Sequence, residues 1–263
     1  MAIKKNRLYV GFEFEFLFKG SKPKFRKMIK EKMSDWEIEF RGKNCFQVVD
    51  DCSIDEYGFS SGYKGMEFVT PVMSYSTGKQ FAKAFLKTMR EEKIITSKDC
   101  GLHVNLSFVK EELNFLIDPV RLMTAVDENK LLEKWNRQDY NYSQPNQKYL
   151  DGIASRSRRT TCTKTIKNKM SKWISENCDH SDAISFEKLE EASEWSGENE
   201  PYIEFRIIGG KNYHYHFSKI QATMVQYEKA MYWSVNEFYD RFVTKKINKI
   251  RDRKNRRFNW IPH

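Results

Sequence analysis

Three short segments of this chain alternate apolar residues with pairs of polar residues that can do chemistry. Because side chains alternate between the two faces of a β-strand, each segment is predicted to be a strand with one apolar face. A solvated sheet face would alternate in the same way, but the polar residues include no lysine or threonine, which favours a site for a cation and a phosphate. The segments read Phe12-Glu13-Phe14-Glu15-Phe16, Leu102-His103-Val104-Asn105-Leu106 and Ile203-Glu204-Phe205-Arg206-Ile207.

The carboxylate pair of the first segment points to a cation. Two carboxylates two residues apart on a strand lie about 6–7 Å apart, and their repulsion reaches about 2–3 kcal/mol at an effective dielectric constant near 20. The three phenylalanines place the opposite face against a core, so we expect Glu13 and Glu15 to be partly buried. Such a pair needs a cation or a shared proton. A divalent metal is the first interpretation.

The order of strand and helix patterns predicts the fold class. Strands with helices inserted between and after them indicate an α+β domain: a curved, mostly antiparallel sheet with helices on its convex side. No linker rich in proline, glycine or serine divides the chain, so residues 1–263 are predicted to form a single catalytic domain. The patterns predict strands at 7–18, 36–40, 45–50, 66–69 and around His103 and Glu204, and helices near 23–34, 81–89, 119–137, 164–177 and 217–242.

The polar stretch 136–162 is interpreted as a long substrate loop or lid, because long loops often carry function. It is rich in tyrosine, asparagine, glutamine and arginine. Arg137, Tyr142 and Arg156 are its candidates for binding a substrate carboxylate or phosphate. A mobile basic surface loop is the alternative.

The charge of the chain favours an anionic partner. The formal net charge is +10, and much of the excess lies in a basic C-terminal extension, 244–263. This extension is interpreted either as a solvated helix end or as a nucleic-acid contact.

Location and redox state are predicted from what the sequence lacks. No apolar run approaches the ~20 residues that span a bilayer, and no secretory signal pattern is present, so we expect no membrane contact. The five cysteines show no CxxC spacing, which argues against a disulfide framework or a structural zinc site. A cytoplasmic location is therefore expected.

The motifs taken together resemble the amidoligase family, relatives of glutamine synthetase and glutamate–cysteine ligase. The resemblance implies a glutamine-synthetase-like catalytic sheet and an ATP-dependent carboxylate–amine ligase that uses Mg²⁺ or Mn²⁺. The matching pieces lie in order within residues 11–206: Gly11-Phe12-Glu13-Phe14-Glu15, Asp51-Cys52-Ser53, Glu67-Phe68-Val69-Thr70-Pro71, Cys100-Gly101-Leu102-His103-Val104-Asn105 and Tyr202-Ile203-Glu204-Phe205-Arg206.

The resemblance also implies roles for individual residues. His103 is similar to the histidine that faces the nucleotide phosphates, and Arg206 to the arginine that meets the transferred phosphoryl group. Many relatives have a second histidine where this chain has Asn105, so a metal or phosphate contact there stays open; an amide is a poorer metal ligand than an imidazole. The implied metal ligands are Glu13, Glu15, Glu67 and Glu204.

The chemistry of a carboxylate–amine ligase suits these residue types. The expected path is attack of a substrate carboxylate on the γ-phosphoryl group of ATP, followed by attack of an amine on the acyl phosphate. Phosphoryl transfer needs positioning and neutralisation of charge rather than an enzyme nucleophile. An acidic substrate and an amine are therefore the expected partners, and we expect a monomer or small oligomer because no further domain for ring assembly is evident.

Three other interpretations compete with the ligase. A metal-dependent nuclease would use Asp50, Asp51 and Glu67 with the basic extension, but valine stands two residues after Glu67 where such enzymes have lysine. A non-enzymatic nucleic-acid-binding protein would keep the sheet and use the basic extension and the abundant tyrosines, but it would gain nothing from Glu13, Glu15, Glu67 and Glu204. Thiol chemistry at Cys100 is disfavoured, because residues three apart on a strand point to opposite faces and Cys100 would point away from His103.

Overall fold

The computed structural model describes residues 8–36, 38, 46–54, 62–109, 111–114, 116–139, 141, 143–156, 172–174, 176–177, 181–189 and 201–258. Its strands are β1 (Leu8–Lys19), β2 (Gln47–Asp50), β3 (Tyr63–Val69), β4 (Met73–Ser74), β5 (Gly101–Phe108), β6 (Ile184–Ser185) and β7 (Ile203–Gly209). Its α-helices are α1 (Lys22–Asp35), α2 (Tyr75–Glu91), α3 (Glu111–Asn114), α4 (Pro119–Ala125), α5 (Glu128–Trp135), α6 (Gln147–Arg156), α7 (Phe217–Ser234) and α8 (Asp240–Phe258), with 3₁₀ turns at Tyr213–Tyr215 and Glu237–Tyr239.

The seven strands form one sheet in the order β2-β3-β1-β5-β7-β6, and β4 pairs with the start of β1. All pairings between these named strands are antiparallel. The predicted α+β class and antiparallel sheet are thereby confirmed. The three segments with alternating polarity lie on β1, β5 and β7, which are neighbours in the middle of the sheet.

One face of the sheet is the apolar core. Phe12, Phe14 and Phe16 of β1 are fully buried, and the ring of Phe14 lies 4.5 Å from that of Phe85 on α2. Helix α7 covers the same face further along, where Tyr227 stacks on Phe205 of β7 at 4.1 Å. Burying this many large rings is the main stabilising contribution to the fold, because each removes on the order of 150–250 Å² from water. The opposite face carries the polar residues.

Three predicted elements differ from the structure for local reasons. The helix predicted at 119–137 is two helices, because Val126 adopts an extended conformation (φ −88°, ψ 129°) between them. The helix predicted at 217–242 ends at Ser234, since Asn236 is extended and its side chain accepts a hydrogen bond from the Phe238 amide to start a 3₁₀ turn. Trp36 ends α1 instead of beginning a strand; the remainder of that predicted strand is outside the described residues except position 38.

The stretch 136–162 is not a loop throughout, because α6 occupies Gln147–Arg156. The stretch is mostly polar, so its sequence did not indicate a helix. The buried side of α6 is apolar, with Leu150, Ile153 and Ala154 in the core. The basic residues from 244 to 258 likewise belong to α8, which begins at Asp240. The predicted helix at 164–177 falls mostly outside the described residues. Within the described part of the chain, none of the helices is long and apolar enough to span a membrane.

Candidate metal centre

The sheet register brings the polar pairs together. Glu13 of β1 lies opposite His103 of β5, and Asn105 of β5 lies opposite Glu204 of β7. Directly opposed residues have Cβ atoms only about 4.5–5.5 Å apart, so side chains on one face are in contact. The alternation that predicts a shared face within each strand therefore extends across three neighbouring strands.

A β-bulge lies at the centre of this arrangement. Leu102 pairs with Ile208 and Val104 with Phe205, so two residues of β7, Arg206 and Ile207, oppose the single residue His103. A bulge adds one residue to one strand and redirects its side chains, and bulges are frequent next to active sites. The polar side chains on either side of it converge on His103.

His103 is the hub of the cluster. Its side chain is only 5% exposed, and Nδ1 lies 3.0 Å from Glu13 Oε2 and 3.1 Å from Glu204 Oε1. One ligand atom from each of these three residues falls within 4.8 Å of the others. Two carboxylates and one imidazole at this spacing match the donor set that a divalent cation takes in proteins.

Glu15 closes the other side of the imidazole. Its Oε1 lies 3.2 Å from His103 Nε2, and its Oε2 accepts a hydrogen bond of 2.5 Å from the Gly101 amide. Sequence reasoning missed the part that the Gly101 amide plays. A side chain at this position would approach Glu15 and His103, so a glycine at the start of a predicted strand is the signal that was available.

Asn105 and Arg206 frame the triad, and each keeps a buried polar atom without a partner. Asn105 Nδ2 donates to Glu13 Oε1 at 2.7 Å, and Arg206 Nη1 donates to Glu204 Oε1 at 2.9 Å. Asn105 Oδ1 and Arg206 Nε are buried with no hydrogen-bond partner among the residues described. Buried polar groups normally find partners, so these two atoms fit a site that accepts a polar ligand.

Glu67 of β3 joins the cluster through Glu13, with which it shares a hydrogen bond. Burial raises the pKa of Glu67, and the negative charge of Glu13 adds to this, bringing it to about 8. Burial acts in the same direction on Glu13, but the hydrogen bond and charge of His103, helped by Asn105, outweigh it and lower its pKa to about 2. Near neutral pH the proton of this pair therefore lies on Glu67.

His103 is positively charged in this environment. Burial disfavours the charged imidazole, but the charge of Glu15 and the hydrogen bonds to Glu13 and Glu204 raise its pKa to about 10. Arg206 opposes this effect. In the absence of an ion, protonated His103 and protonated Glu67 thus offset much of the negative charge of the four carboxyl groups. A metal ion bound by His103 would have to displace its proton.

Arg137 lies beside the cluster. It is 2% exposed, and its Nη1 donates to the Cys100 carbonyl at 3.0 Å. A Cβ atom at Gly209 would overlap that guanidinium, so the end of β7 must be glycine for Arg137 to occupy this place. Its substrate-binding role stays a prediction, but it is buried against the sheet rather than placed on an open loop.

The remaining candidates are either outside the described residues or not part of the cluster. Tyr142 is outside the described residues, as is the side chain of Arg156. Asp50, proposed for a nuclease, faces the surface and pairs with Lys22 at 2.7 Å. Cys100 is fully buried, and burial raises its pKa to about 12, so it is a core cysteine as the strand geometry predicts.

The chain matches no protein-family model, and no curated protein matches its sequence.

Proposed function

We propose that this protein is an ATP-dependent carboxylate–amine ligase whose site lies at the polar face of β1, β3, β5 and β7, on a sheet of the glutamine-synthetase type. The observation that carries the proposal is the convergence of Glu13, His103 and Glu204 on one point. These residues come from three motifs that are far apart in sequence. The resemblance to amidoligases assigns all three to one site.

The donor set fits a divalent metal. Glu13, His103 and Glu204 would hold it, with Glu15 and Glu67 able to add carboxylate oxygens. When bound, Mg²⁺ or Mn²⁺ supplies neutralisation of phosphate charge. Burial raises the pKa of Glu67, and the negative charge of Glu13 adds to it; a cation between the two carboxyl groups would offset the second cause.

The residues of the chain then have distinct tasks. Arg206, anchored to Glu204 by one terminal nitrogen, retains a buried Nε that can donate to an anionic oxygen. A guanidinium keeps its charge at any physiological pH, which suits it to the charge that develops during phosphoryl transfer. The side-chain oxygen of Asn105, which has no hydrogen-bond partner among the described residues, can accept from a nucleotide or amine N–H.

The reaction needs no nucleophile from the protein. A substrate carboxylate oxygen attacks the γ-phosphorus of ATP, and ADP leaves. The amine then attacks the acyl carbon, its proton is lost to a base, and inorganic phosphate leaves. The described residues supply charge and positioning for both steps, and the carboxylates of the cluster supply candidates for the base.

The first test is nucleotide binding measured by calorimetry with a non-hydrolysable ATP analogue, with and without Mg²⁺. Wild type should bind only with Mg²⁺, and Glu13→Gln should weaken binding at least about tenfold, because one metal ligand loses its charge. Glu31→Gln removes an exposed carboxylate on α1 and is the matched control; it should bind like wild type. ADP release from mixtures of acids and amines would follow.

Three results would overturn the proposal. One is the absence of nucleotide binding by wild type under any condition. Another is nucleotide binding with the same affinity in the presence and absence of Mg²⁺. The third is equal affinity of Glu13→Gln and wild type, provided that both proteins have the same thermal unfolding profile.

A further inference from the structure

Most of the net charge of the chain lies in one helix. Helix α8 (Asp240–Phe258) contains nine of the 46 lysines and arginines but only two of the 36 acidic residues. The rest of the chain is therefore close to electrically balanced. A surface that concentrates one sign of charge in this way favours an oppositely charged partner.

The inner side of α8 packs against the rest of the protein. Val243 and Ile247 are buried, Lys246 Nζ donates to the Thr124 carbonyl at 3.0 Å, and Arg251 donates to the Ala154 carbonyl at 3.1 Å. Arg121 holds the start of the helix through Asp240 at 2.6 Å. These contacts fix α8 on α4 and α6, and they leave its outer side as a rigid surface.

The outer side carries a stripe of cations, defined here as Arg241, Lys245, Lys249 and Arg253. Residues four apart are neighbours on a helix surface, so the four charges form one row that winds slowly around α8 with a rise of about 6 Å per step. All four are exposed, and none forms an ion pair with any other described residue. The groove along them has a volume of about 670 Å³, and Asp252 is the one carboxylate that lines it.

Like charges four residues apart destabilise a helix, so the stripe has no local structural benefit. Some lysines elsewhere are paired with carboxylates: Lys22 lies 2.7 Å from Asp50, and Lys32 lies 3.3 Å from Glu92. Others, such as Lys27 and Lys83, are exposed with no ion pair among the described residues. What distinguishes the stripe is that four such charges lie on one helix, which favours an external anion.

Two exposed rings stand at the start of the stripe. Phe238 is 60% exposed and Phe242 is 41% exposed. The guanidinium carbon of Arg241 lies 4.4 Å from the Phe238 centroid and 5.1 Å from that of Phe242. Exposed aromatic rings next to cations are the combination on which unpaired bases stack while their phosphates meet lysine and arginine.

We propose that the cation stripe and these two rings bind single-stranded nucleic acid. A duplex would satisfy the cations but would leave the rings unused, because its bases are already stacked. An anionic membrane would need the whole apolar side of α8 for insertion; that side is buried against α4 and α6, which leaves only the two rings to insert. The surface is built on helices, whereas the candidate metal centre is built on the sheet, so this proposal does not depend on the ligase.

The test is fluorescence anisotropy of a labelled oligothymidine of about 20 nucleotides, titrated at salt concentrations between about 50 and 200 mM. Four phosphate contacts predict a slope of log K against log salt near −3 for a single strand. The variant Lys245→Gln/Lys249→Gln/Arg253→Gln should weaken binding at least about tenfold at the lowest salt and reduce the slope to about −1. Phe238→Ala/Phe242→Ala should weaken single-strand binding about fivefold or more and change duplex binding less than about twofold.

The matched control is Lys27→Gln/Lys30→Gln/Lys83→Gln, which removes three exposed cations from α1 and α2 and changes net charge equally. It should retain the wild-type slope, and Glu13→Gln should retain wild-type binding. Thermal melts establish that each variant is folded. The proposal is overturned if wild type does not bind the single strand, if either control loses as much affinity as the stripe variant, or if wild type prefers the duplex or phosphatidylserine vesicles at equal phosphate concentration.

Discussion

Glu13 and Glu67 hydrogen-bond to each other from neighbouring strands, and their pKa values lie on opposite sides of neutrality, at about 2 and about 8. His103 contacts Glu13 on the other side, and its pKa lies near 10. The cluster thus holds protons on Glu67 and His103 at neutral pH. These protons reduce the net negative charge of the carboxyl cluster. A bound cation would do the same, so it would compete with them.

Metal binding should therefore release protons. At pH 7 a divalent ion that binds Glu13, His103 and Glu204 must displace the His103 proton, and an ion that also recruits Glu67 must displace a second, so we expect about one to two protons per ion. Titration calorimetry with Mn²⁺ in two buffers of different protonation enthalpy measures this number. Affinity should also rise between pH 6 and 8.

The variant Glu67→Gln tests whether Glu67 binds the metal ion. It removes one exchangeable proton but keeps a hydrogen-bond donor for Glu13. The released number should fall by about one if Glu67 binds the ion. No proton release by wild type, at an affinity that is independent of pH, would contradict a metal at His103.

The metal-free protein should lose stability as pH rises. The pKa of Glu67 is raised from 4.5 to about 8 on folding, so its contribution is present below pH 4.5 and is lost as pH increases through 8. The pKa of His103 is raised from 6.5 to about 10, so its contribution to stability is lost between about pH 6.5 and pH 10. Buried Glu128, whose pKa burial raises to about 8, adds to the loss in the window of Glu67.

Urea unfolding across this range measures the effect. Glu67→Gln should remove part of the decline between pH 4.5 and 8, on the order of 2–4 kcal/mol. Glu31→Gln, on the exposed side of α1, should leave the profile unchanged. If wild type became more stable from pH 6 to 9 without metal, the assignment of protons to Glu67 and His103 would be wrong.

The sequence predicts which residues of one strand share a face more readily than it predicts which strands pair and in what register. Alternation of Glu13 with phenylalanines indicates one polar face, and a regular period of two is enough to derive it. It contains no information on which strands are neighbours. That Glu13 lies opposite His103 depends on the pairing of β1 with β5, which is fixed by contacts between residues about 90 positions apart.

Other features of the site were hidden from the sequence because they depend on close approach. The bulge opposite His103 leaves no clear pattern in β7, whose polar residues alternate without interruption. Arg137 lies in a polar stretch that predicts an exposed loop. Its guanidinium is nevertheless buried, in the space that the missing side chain of Gly209 leaves open. Helix α6 in the same stretch was missed because only its buried side is apolar.

Gly209→Ala should destabilise the protein by about 2 kcal/mol or more, because the new Cβ would overlap the Arg137 guanidinium, which has no room to move at 2% exposure. Denaturant unfolding measures the change. In an Arg137→Ala background the same substitution should cost less, although the Cys100 carbonyl still lies 2.7 Å from the added carbon. Equal costs in the two backgrounds would mean that Arg137 does not occupy this space. Gly62→Ala is a control for a glycine with nothing within 4 Å, although its positive φ adds backbone strain of its own.

His214 should make the protein sensitive to acid, with a sign opposite to that of the metal centre, in a window from pH 6.5 to 4 that overlaps the window of Glu67. It is 1% exposed, its Nδ1 lies 3.1 Å from Thr96 Oγ1, and its Nε2 is buried with no hydrogen-bond partner among the described residues. Burial and the charge of Arg90 lower its pKa from 6.5 to about 4. The unfolded chain therefore binds this proton more strongly, and stability is lost as pH falls from 6.5 to 4.

His214→Gln tests this window directly. The stability of wild type relative to the variant should fall between pH 6.5 and 4 by on the order of 2–3 kcal/mol, because subtracting the two profiles cancels the opposing contributions of Glu67 and Glu128. Any cost of the substitution itself should be the same at pH 7 and 8, where His214 is neutral in both states. His216→Gln, two residues further along the chain and exposed, is the matched control. It should keep most of the wild-type acid profile, because burial and the charge of Arg90 lower the pKa of His214 more than the charge of His216 does. A His214→Gln profile parallel to that of wild type down to pH 4 would show that His214 is charged in the folded protein, and that its unpartnered nitrogen reaches water.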